Sequence, residues 1–253
     1  MPPSKLDPAS QKPSRAPSPI RDNWDEGDFL LVSSDEREFR VDSNVLFWAS
    51  SVLQDAGSGP VNSPREIRFC DPDFEHAGVL CSFLRLCVRG TFVNGSFNWS
   101  ECEAGVALIA FLRKYDCVRP LRVLKLCISE ALFERRLYPL HAFVLGANMD
   151  DVSLCCTAFR ERVQFVPPTQ LDDGLALVLS PAQALMDGAW PYPVWQHTPL
   201  PYIYAATKAA NVFEKEPHVP YHGITRSGTP IFRKKDLADE FEKAIRKVKA
   251  TGV

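Results

Sequence analysis

The chain has 253 residues, of which 45% are hydrophobic and 24% are charged, and its formal net charge is −2. This composition is typical of a soluble globular protein that can bury one substantial core with a smaller appendage. The small net charge excludes a global electrostatic field that would attract nucleic acid or an anionic membrane, so such binding would need a local basic patch.

The absence of membrane or secretory segments and the pattern of cysteines further limit the class of protein. No apolar stretch approaches the ~20 residues of a membrane span, and the N-terminus lacks the apolar segment of a secretory signal. We therefore expect a protein of the cytosol or nucleus with no membrane partner. The 8 cysteines contain no C-x-x-C pair and no nearby His-x3-His, which predicts buried, reduced thiols rather than a metal site.

The first 25 residues are rich in Pro, Ser and scattered charge. Such a segment buries too little apolar surface to offset the entropy lost on ordering, which predicts a disordered tail. Ile20 and Trp24 are the anchors in it that could dock back onto a folded domain.

The stretch 27–55 organises the rest of the chain. Segment 28–32 is apolar on both alternating faces, which predicts a strand buried on both sides. A Ser- and Asp-rich turn then leads to a second strand with Phe39 and Val41 facing inward. Ser43 is the predicted N-cap of a single following helix, whose core face consists of Leu46, Ala49, Ser50 and Leu53.

The same helix carries a second apolar surface. Val45, Trp48 and Val52 form a stripe apart from the core face, and Phe47 lies on yet another side. Helices that are apolar all round are normally buried, so these side chains need a cover. Two covers remain open, namely a loop or tail of the same chain or another protein molecule.

The middle of the chain predicts one more strand and then helices. Alternation over 66–70 predicts the strand, and Asp71-Pro72 predicts the start of a helix. The buried face of that helix is predicted to hold Phe74, Ala77, Cys81, Leu84 and Val88.

Further helices are predicted after residue 99. Ser100 and Glu103 fit a capping box, and Pro120 is predicted to begin the next helix. Apolar patterning predicts two more helices at 138–148 and 151–164.

Several phrases in this region resemble a BTB/POZ domain, most closely those of the BTB proteins of fungi. The phrases are Phe39-Arg40-Val41 after a hairpin with a Ser33-Ser34-Asp35 turn, Val45-Leu46 followed by Ser50, and Leu112-Arg113-Lys114-Tyr115. One departure is Asp42, where a His is usual in that family. The order of the predicted elements also agrees with the family.

The resemblance implies an α+β fold, in which a small β-sheet is flanked by α-helices and followed by additional C-terminal helices. The expected organisation is a tail at 1–25, a BTB/POZ-like domain at 26–135, a helical extension at 136–166 and a C-terminal region at 167–253. In similar domains the first helix and the preceding strand commonly form a dimer interface, which here implicates Val45, Phe47, Trp48 and Val52.

The C-terminal region lies beyond the resemblance. Residues 171–186 are apolar and predict one or two short helices, whereas 190–195 is rich in Pro and aromatic residues and predicts an extended segment packed on helices, with a peptide-binding groove as the alternative. The last predicted element is an amphipathic helix at 236–249. We expect it to dock on the preceding domain or on a partner through Leu237, Phe241 and Ile245.

No residue constellation indicates an enzyme or a cofactor. The chain has no nucleophile elbow, phosphate loop or dinucleotide fingerprint. His218 and His222 flank Pro220, which argues against a helical metal pair. The basic run Arg233-Lys234-Lys235 is interleaved with nearby acids that would repel phosphate, so we do not expect nucleic acid binding.

These observations predict a non-enzymatic protein–protein interaction module that self-associates or pairs with a heterologous BTB partner. The alternative is a substrate adaptor of a cullin-type ubiquitin ligase, as some BTB proteins are. Such adaptors often carry a hydrophobic-x-acidic pattern, and Trp99-Ser100-Glu101 has the right residue types. Alignment on Lys114-Tyr115 instead places that site near Ala104-Gly105-Val106, which lacks the acid.

Overall fold

The computed structural model describes residues 24–57, 65–92, 97–161, 190, 192–215 and 234–251. Within these ranges the fold is α+β, with a three-stranded sheet and predominantly helical structure around it. Several sequence predictions lie outside the described residues, namely the tail up to residue 23 with Ile20, the helices at 171–186, His218, His222 and Arg233.

The sheet has the order β2-β1-β3. Strands β1 (Phe29–Val32) and β2 (Glu38–Val41) form an antiparallel hairpin, and β3 (Glu66–Arg68) runs parallel to β1. Phe39 and Val41 are buried while their neighbours in β2 are exposed, so the predicted alternation is confirmed. The folded domain includes residues before the predicted boundary at residue 26, because the Arg40 N–H donates to the Trp24 carbonyl at 2.8 Å.

The hairpin turn is tied to the segment that precedes the third helix. The Ser34 N–H donates to the Glu75 carbonyl at 3.0 Å, and the Ala77 N–H donates to the Asp35 carboxylate at 2.7 Å. Helix α3 (Ala77–Arg89) has no side-chain cap of its own, so Asp35 supplies the acceptor that its first turn needs. The Ser-Asp turn therefore fixes both the hairpin and the start of α3.

The predicted single helix after Ser43 is wrong, because the structure divides it into α1 (Ser43–Ala49) and α2 (Ser51–Ala56). Asp42 caps α1 by accepting the Asn44 N–H at 2.9 Å. Ser50 adopts an extended conformation between the helices, where its hydroxyl accepts the Leu53 N–H at 3.1 Å and donates to the Tyr115 carbonyl. The predicted core face is confirmed despite the break, since all its members are buried: Leu46, Ala49, Ser50 and Leu53.

We expect Ser50→Ala to lower the free energy of unfolding by about 1 to 2 kcal/mol, because it removes the α2 cap and the bond to Tyr115. Chemical denaturation followed by circular dichroism measures the change. Ser51→Ala is the matched control, since Ser51 is exposed at the first position of α2. Equal loss in the two variants would show that the Ser50 hydroxyl does not hold the junction.

Three long helices follow the sheet, and four predictions about them are corrected. Asp71-Pro72 begins a turn rather than a helix, since α3 starts at Ala77, and Val88 is exposed instead of buried. Helix α4 (Trp99–Lys114) has its capping box at Asn98 and Glu101, not at Ser100 and Glu103. Helix α5 (Val118–Phe133) starts two residues before Pro120.

The C-terminal half is a layer of packed helices. Helices α6 (Pro139–Asn148) and α7 (Val152–Arg160) correspond to predicted elements, although α7 ends earlier than 164. The Pro- and aromatic-rich segment forms a short helix, α8 (Tyr192–His197), where an extended segment was expected. Helix α9 (Leu200–Lys215) was not predicted, and α10 (Lys234–Thr251) packs on both α7 and α9.

A continuous apolar core runs from the sheet through α3 to α7 and reaches α8, α9 and α10. Asp150 ties the last two helices to the α6–α7 corner, because its carboxylate accepts the Tyr202 hydroxyl at 2.9 Å and pairs with Lys249 at 2.7 Å. Burial opposes ionisation of Asp150, but the bonds from Lys249 and Tyr202 outweigh it and keep its pKa below the usual value. Among the described residues, no helix combines the length and apolar character needed to cross a membrane.

Candidate protein-interaction surface

The orientation of α1 is set by Asp28, the residue before β1. Its carboxylate accepts the Ser43 backbone N–H at 2.7 Å and the Ser43 hydroxyl at 2.8 Å, and it pairs with Arg65 at 2.8 Å. The bond from the Ser43 N–H is the main reason why the pKa of Asp28 lies below its usual value. A carboxylate at this helix N-terminus also interacts favourably with the helix dipole.

This attachment turns one apolar side of α1 and α2 outward. Trp48 is 43% exposed and Val52 is 42% exposed, and Val45 beside them is half-buried. We call these three residues, Val45, Trp48 and Val52, the α1–α2 face. The sequence placed the same three side chains on a stripe apart from the core, and the separation survives the break at Ser50 because Val52 projects outward from α2.

Phe47 has a different role from the other candidate interface residues. Its ring lies edge-on to Phe29 of β1, with centroids 6.2 Å apart and planes at 87°. It is half-buried and belongs to the border of the core. Phe47 therefore holds α1 on the sheet and leaves only part of its surface for a partner.

Arg119, in the first turn of α5, flanks the α1–α2 face. Its guanidinium carbon lies 5.8 Å from the centre of the Trp48 ring, and its Nη1 donates to the Trp48 carbonyl at 3.4 Å. A cation beside an indole is attracted by the ring electrons, an interaction of about 0.5 to 1 kcal/mol at an exposed site. The face thus consists of an aromatic ring, two valines and one adjacent cation.

Trp24, one of the two anchors that could have covered this face, lies beside β2. Its carbonyl accepts the Arg40 N–H, and Asp25 forms an isolated bridge with Arg40. Trp48 and Val52 keep their exposure with Trp24 in that position. Docking of Trp24 therefore does not bury the α1–α2 face.

The second set of candidate residues lies inside the protein. Leu237, Phe241 and Ile245 of α10 are buried against the helices that precede them, including the rings of Phe143 and Phe159. Of the two docking modes expected for this helix, the structure places it on the preceding helices. These three side chains are therefore part of the core, and none of them is available to a partner.

Four of the eight cysteine thiols are buried and three are half-buried, whereas Cys70 is exposed and departs from the expectation. Burial raises the pKa of the Cys117 thiol to about 12 and that of Cys156 to about 11. Burial likewise lowers the pKa of His141 to about 4, so this ring is neutral at physiological pH. These groups pack as core side chains.

The pattern expected of a cullin adaptor falls at the start of α4. The Glu101 carboxylate accepts the Asn98 N–H at 2.8 Å, and the Asn98 side chain accepts the Glu101 N–H at 3.0 Å. The acid of the Trp99-Ser100-Glu101 phrase therefore caps its own helix. The adaptor hypothesis remains a prediction that these contacts do not favour.

We compared the chain with family models, curated proteins and solved structures, and none of these comparisons found a match.

Proposed function

We propose that this protein is a non-enzymatic interaction module that forms a homodimer through the α1–α2 face, in the manner of the BTB/POZ domains that its first half resembles. The observation that carries the proposal is the outward position of Trp48 and Val52 on helices whose opposite side is fully buried. Trp, together with Tyr and Arg, is enriched among the residues that contribute most of the binding energy at protein interfaces.

The geometry of the face suits a two-fold symmetric contact. In an isologous dimer the same patch meets itself, so Trp48 of one copy can pack on α1 or α2 of the other. Burying a large apolar side chain contributes about 1.5 to 3 kcal/mol, and a symmetric contact counts each residue twice. That gain competes with an association cost of at least ~4 kcal/mol, so a few side chains on each copy must contribute. Val45 and Val52 supply the surface around Trp48.

A heterologous BTB partner is the variant of this proposal in which the same face meets a different chain. It uses the same residues and predicts a monomer in isolation. The fold supports both variants equally, since the Phe47 contact and the Asp28 bonds order the face without a partner.

We expect light scattering coupled to size exclusion to give a dimer mass for the full chain at tens of micromolar. Trp48→Glu is expected to give a folded monomer, because a carboxylate would lose its hydration at the centre of the contact. Tyr192→Glu is the matched control, since Tyr192 is 76% exposed on α8, and it should leave the mass unchanged.

A chain that begins at Asn23 tests whether the α1–α2 face is covered by a second protein molecule or by the N-terminal tail. It removes residues 1–22 and keeps the bond between Trp24 and Arg40. A dimer that persists without the tail supports the proposal. A parent chain that is monomeric with and without its tail overturns the homodimer. Circular dichroism of Trp48→Glu must match the parent for the comparison to count.

A further inference from the structure

A groove with a volume of about 610 Å³ lies between α9 and α10. Leu200 and Tyr204 of α9 form one wall and are 75% and 54% exposed, and Val248 of α10 lies opposite them. A smaller depression of about 130 Å³ shares Lys208 and Lys247 with the groove and continues toward Val212. The two together form one channel along the paired helices.

The channel is long enough for a short helix. Leu200 and Val212 are separated by 12 positions of α9. At about 1.5 Å of rise per residue this corresponds to roughly 18 Å, or about three turns of a docked helix. Grooves between two helices with exposed apolar walls are a common receptor for the apolar face of a third helix.

The rim of the channel is positively charged. Among the described residues, neither the Lys208 nor the Lys247 ammonium has a carboxylate within 4 Å, and Lys208 lies 5.8 Å from the Tyr204 ring centre. Glu240, the acid that borders the smaller depression, is already paired with Lys243. The partner that complements this rim is therefore acidic beside an apolar stripe.

We infer that the α9–α10 channel binds an acidic amphipathic helix of a partner protein. The apolar residues of that helix pack between Leu200, Tyr204 and Val248, and its carboxylates meet Lys208 and Lys247. This site lies on different helices from the α1–α2 face and does not depend on the homodimer. The protein would thus join its own copies through one surface and an acidic partner through another.

The test uses the full chain and a fluorescent, stapled peptide of about 14 residues, with Leu at i, i+4, i+7 and i+11 and Glu elsewhere, since an unstapled helix of this length is marginal in water. Fluorescence polarisation should show saturable binding that weakens with added salt. A peptide with Lys for every Glu, and one with the same composition but scrambled Leu positions, should bind at least tenfold more weakly.

Variants of the protein locate the site. Lys208→Glu combined with Lys247→Glu should weaken binding of the acidic peptide roughly tenfold, and Leu200→Ser should weaken it through the apolar wall. Arg122→Glu is the matched charge reversal, because Arg122 is exposed on α5, and it should bind like the parent. Trp48→Glu should also retain binding, which separates this site from the dimer surface.

Three outcomes overturn the inference. One is equal binding of the acidic and basic peptides, and another is unchanged binding in the double lysine variant. The third is failure of the acidic peptide to bind while the full chain binds phosphatidylserine vesicles through Lys208 and Lys247, which would assign the channel to a lipid surface.

Discussion

Phe241→Asp is expected to remove at least about 4 kcal/mol from the free energy of unfolding. Truncating a buried Phe costs about 3 to 5 kcal/mol, and a carboxylate at the same site adds the cost of a buried charge. The Phe241 ring is fully buried, with the centroids of Phe159, Phe143 and Tyr202 at 4.9, 5.8 and 6.2 Å. Since domains are stable by only about 5 to 15 kcal/mol, we expect partial or complete loss of the fold.

Urea denaturation of three variants tests this expectation. Phe241→Leu should lose a smaller amount, because it keeps apolar volume at the site. Lys247→Asp places the same acid on the exposed side of the same helix and should change stability by less than about 0.5 kcal/mol. A Phe241→Asp protein that unfolds at the parent's urea concentration would show that α10 is not packed on α6, α7 and α9.

Glu75→Ala is the second substitution with a large expected effect, a loss of about 3 kcal/mol. The Glu75 side chain is 2% exposed, and one oxygen accepts the backbone N–H groups of Cys70 and Asp71, both at 2.7 Å. The other oxygen binds the Lys114 ammonium and the Tyr115 hydroxyl, both at 2.6 Å. Removing the carboxylate leaves these donors without their acceptor in the corner between β3, α3 and α4.

The matched control is Asp73→Ala, two residues away on the surface of the same turn. It removes an exposed carboxylate and should lose much less stability than Glu75→Ala. Equal losses in the two variants would show that the turn tolerates the absence of any acid, and that the four bonds to Glu75 contribute little.

The same carboxylate predicts a pH dependence. Burial alone would raise the pKa of Glu75, but the bonds from Lys114, Tyr115, Asp71 and Cys70 outweigh it, so the pKa lies below its usual value. A depressed pKa means that the stabilisation is fully present above the unfolded-state pKa of about 4.3 and is lost as the pH falls through the native value. The stability difference between the parent and Glu75→Gln should therefore shrink between pH 6 and about pH 3. A stability difference that stays constant over this pH range would contradict the depressed pKa of Glu75.

Local periodicity predicts those parts of the fold in which one face is clearly buried. Phe39 and Val41 alternate with exposed residues, and the core face around Leu46 repeats at helical spacing. The short-range pattern was therefore sufficient to predict which of these side chains are buried. The break at Ser50 was not predictable in this way. The Ser50 hydroxyl donates to the Tyr115 carbonyl across 65 residues, and no local signal carries that contact.

Other differences between the predicted and the observed elements arose where two local signals compete. Asn98-x-x-Glu101 and Ser100-x-x-Glu103 both fit a capping box, and the first is the one that forms. Pro193 and Pro201 each occupy the second position of a helix, where proline is well tolerated, so their presence did not favour an extended chain. These signals could have predicted α8 and α9 had the prolines been interpreted as helix starts.

The candidate interface was only partly predictable. The sequence separated Val45, Trp48 and Val52 from the core because a single helix cannot bury both stripes on one side. Sequence could not show that Phe47 packs on Phe29, or that Arg119 lies beside Trp48, because both contacts depend on how α1 sits against β1 and α5. The α9–α10 channel was not predicted, because it forms between two helices and the sequence analysis did not identify α9.

The packing of α10 on α7 has a consequence for synthesis of the protein. The Cys156 thiol meets the Ala238 carbonyl across 82 residues, and Arg160 pairs with Asp239 beside it. Contacts this distant in sequence close late, because closing a long loop costs chain entropy that must be offset before the contact is gained. On the ribosome, the sides of the Phe143 and Phe159 rings that contact Phe241 therefore remain uncovered until α10 has been translated. During that interval the nascent chain presents an aromatic surface to chaperones and to other unfinished chains, so slow translation after α7 should favour aggregation.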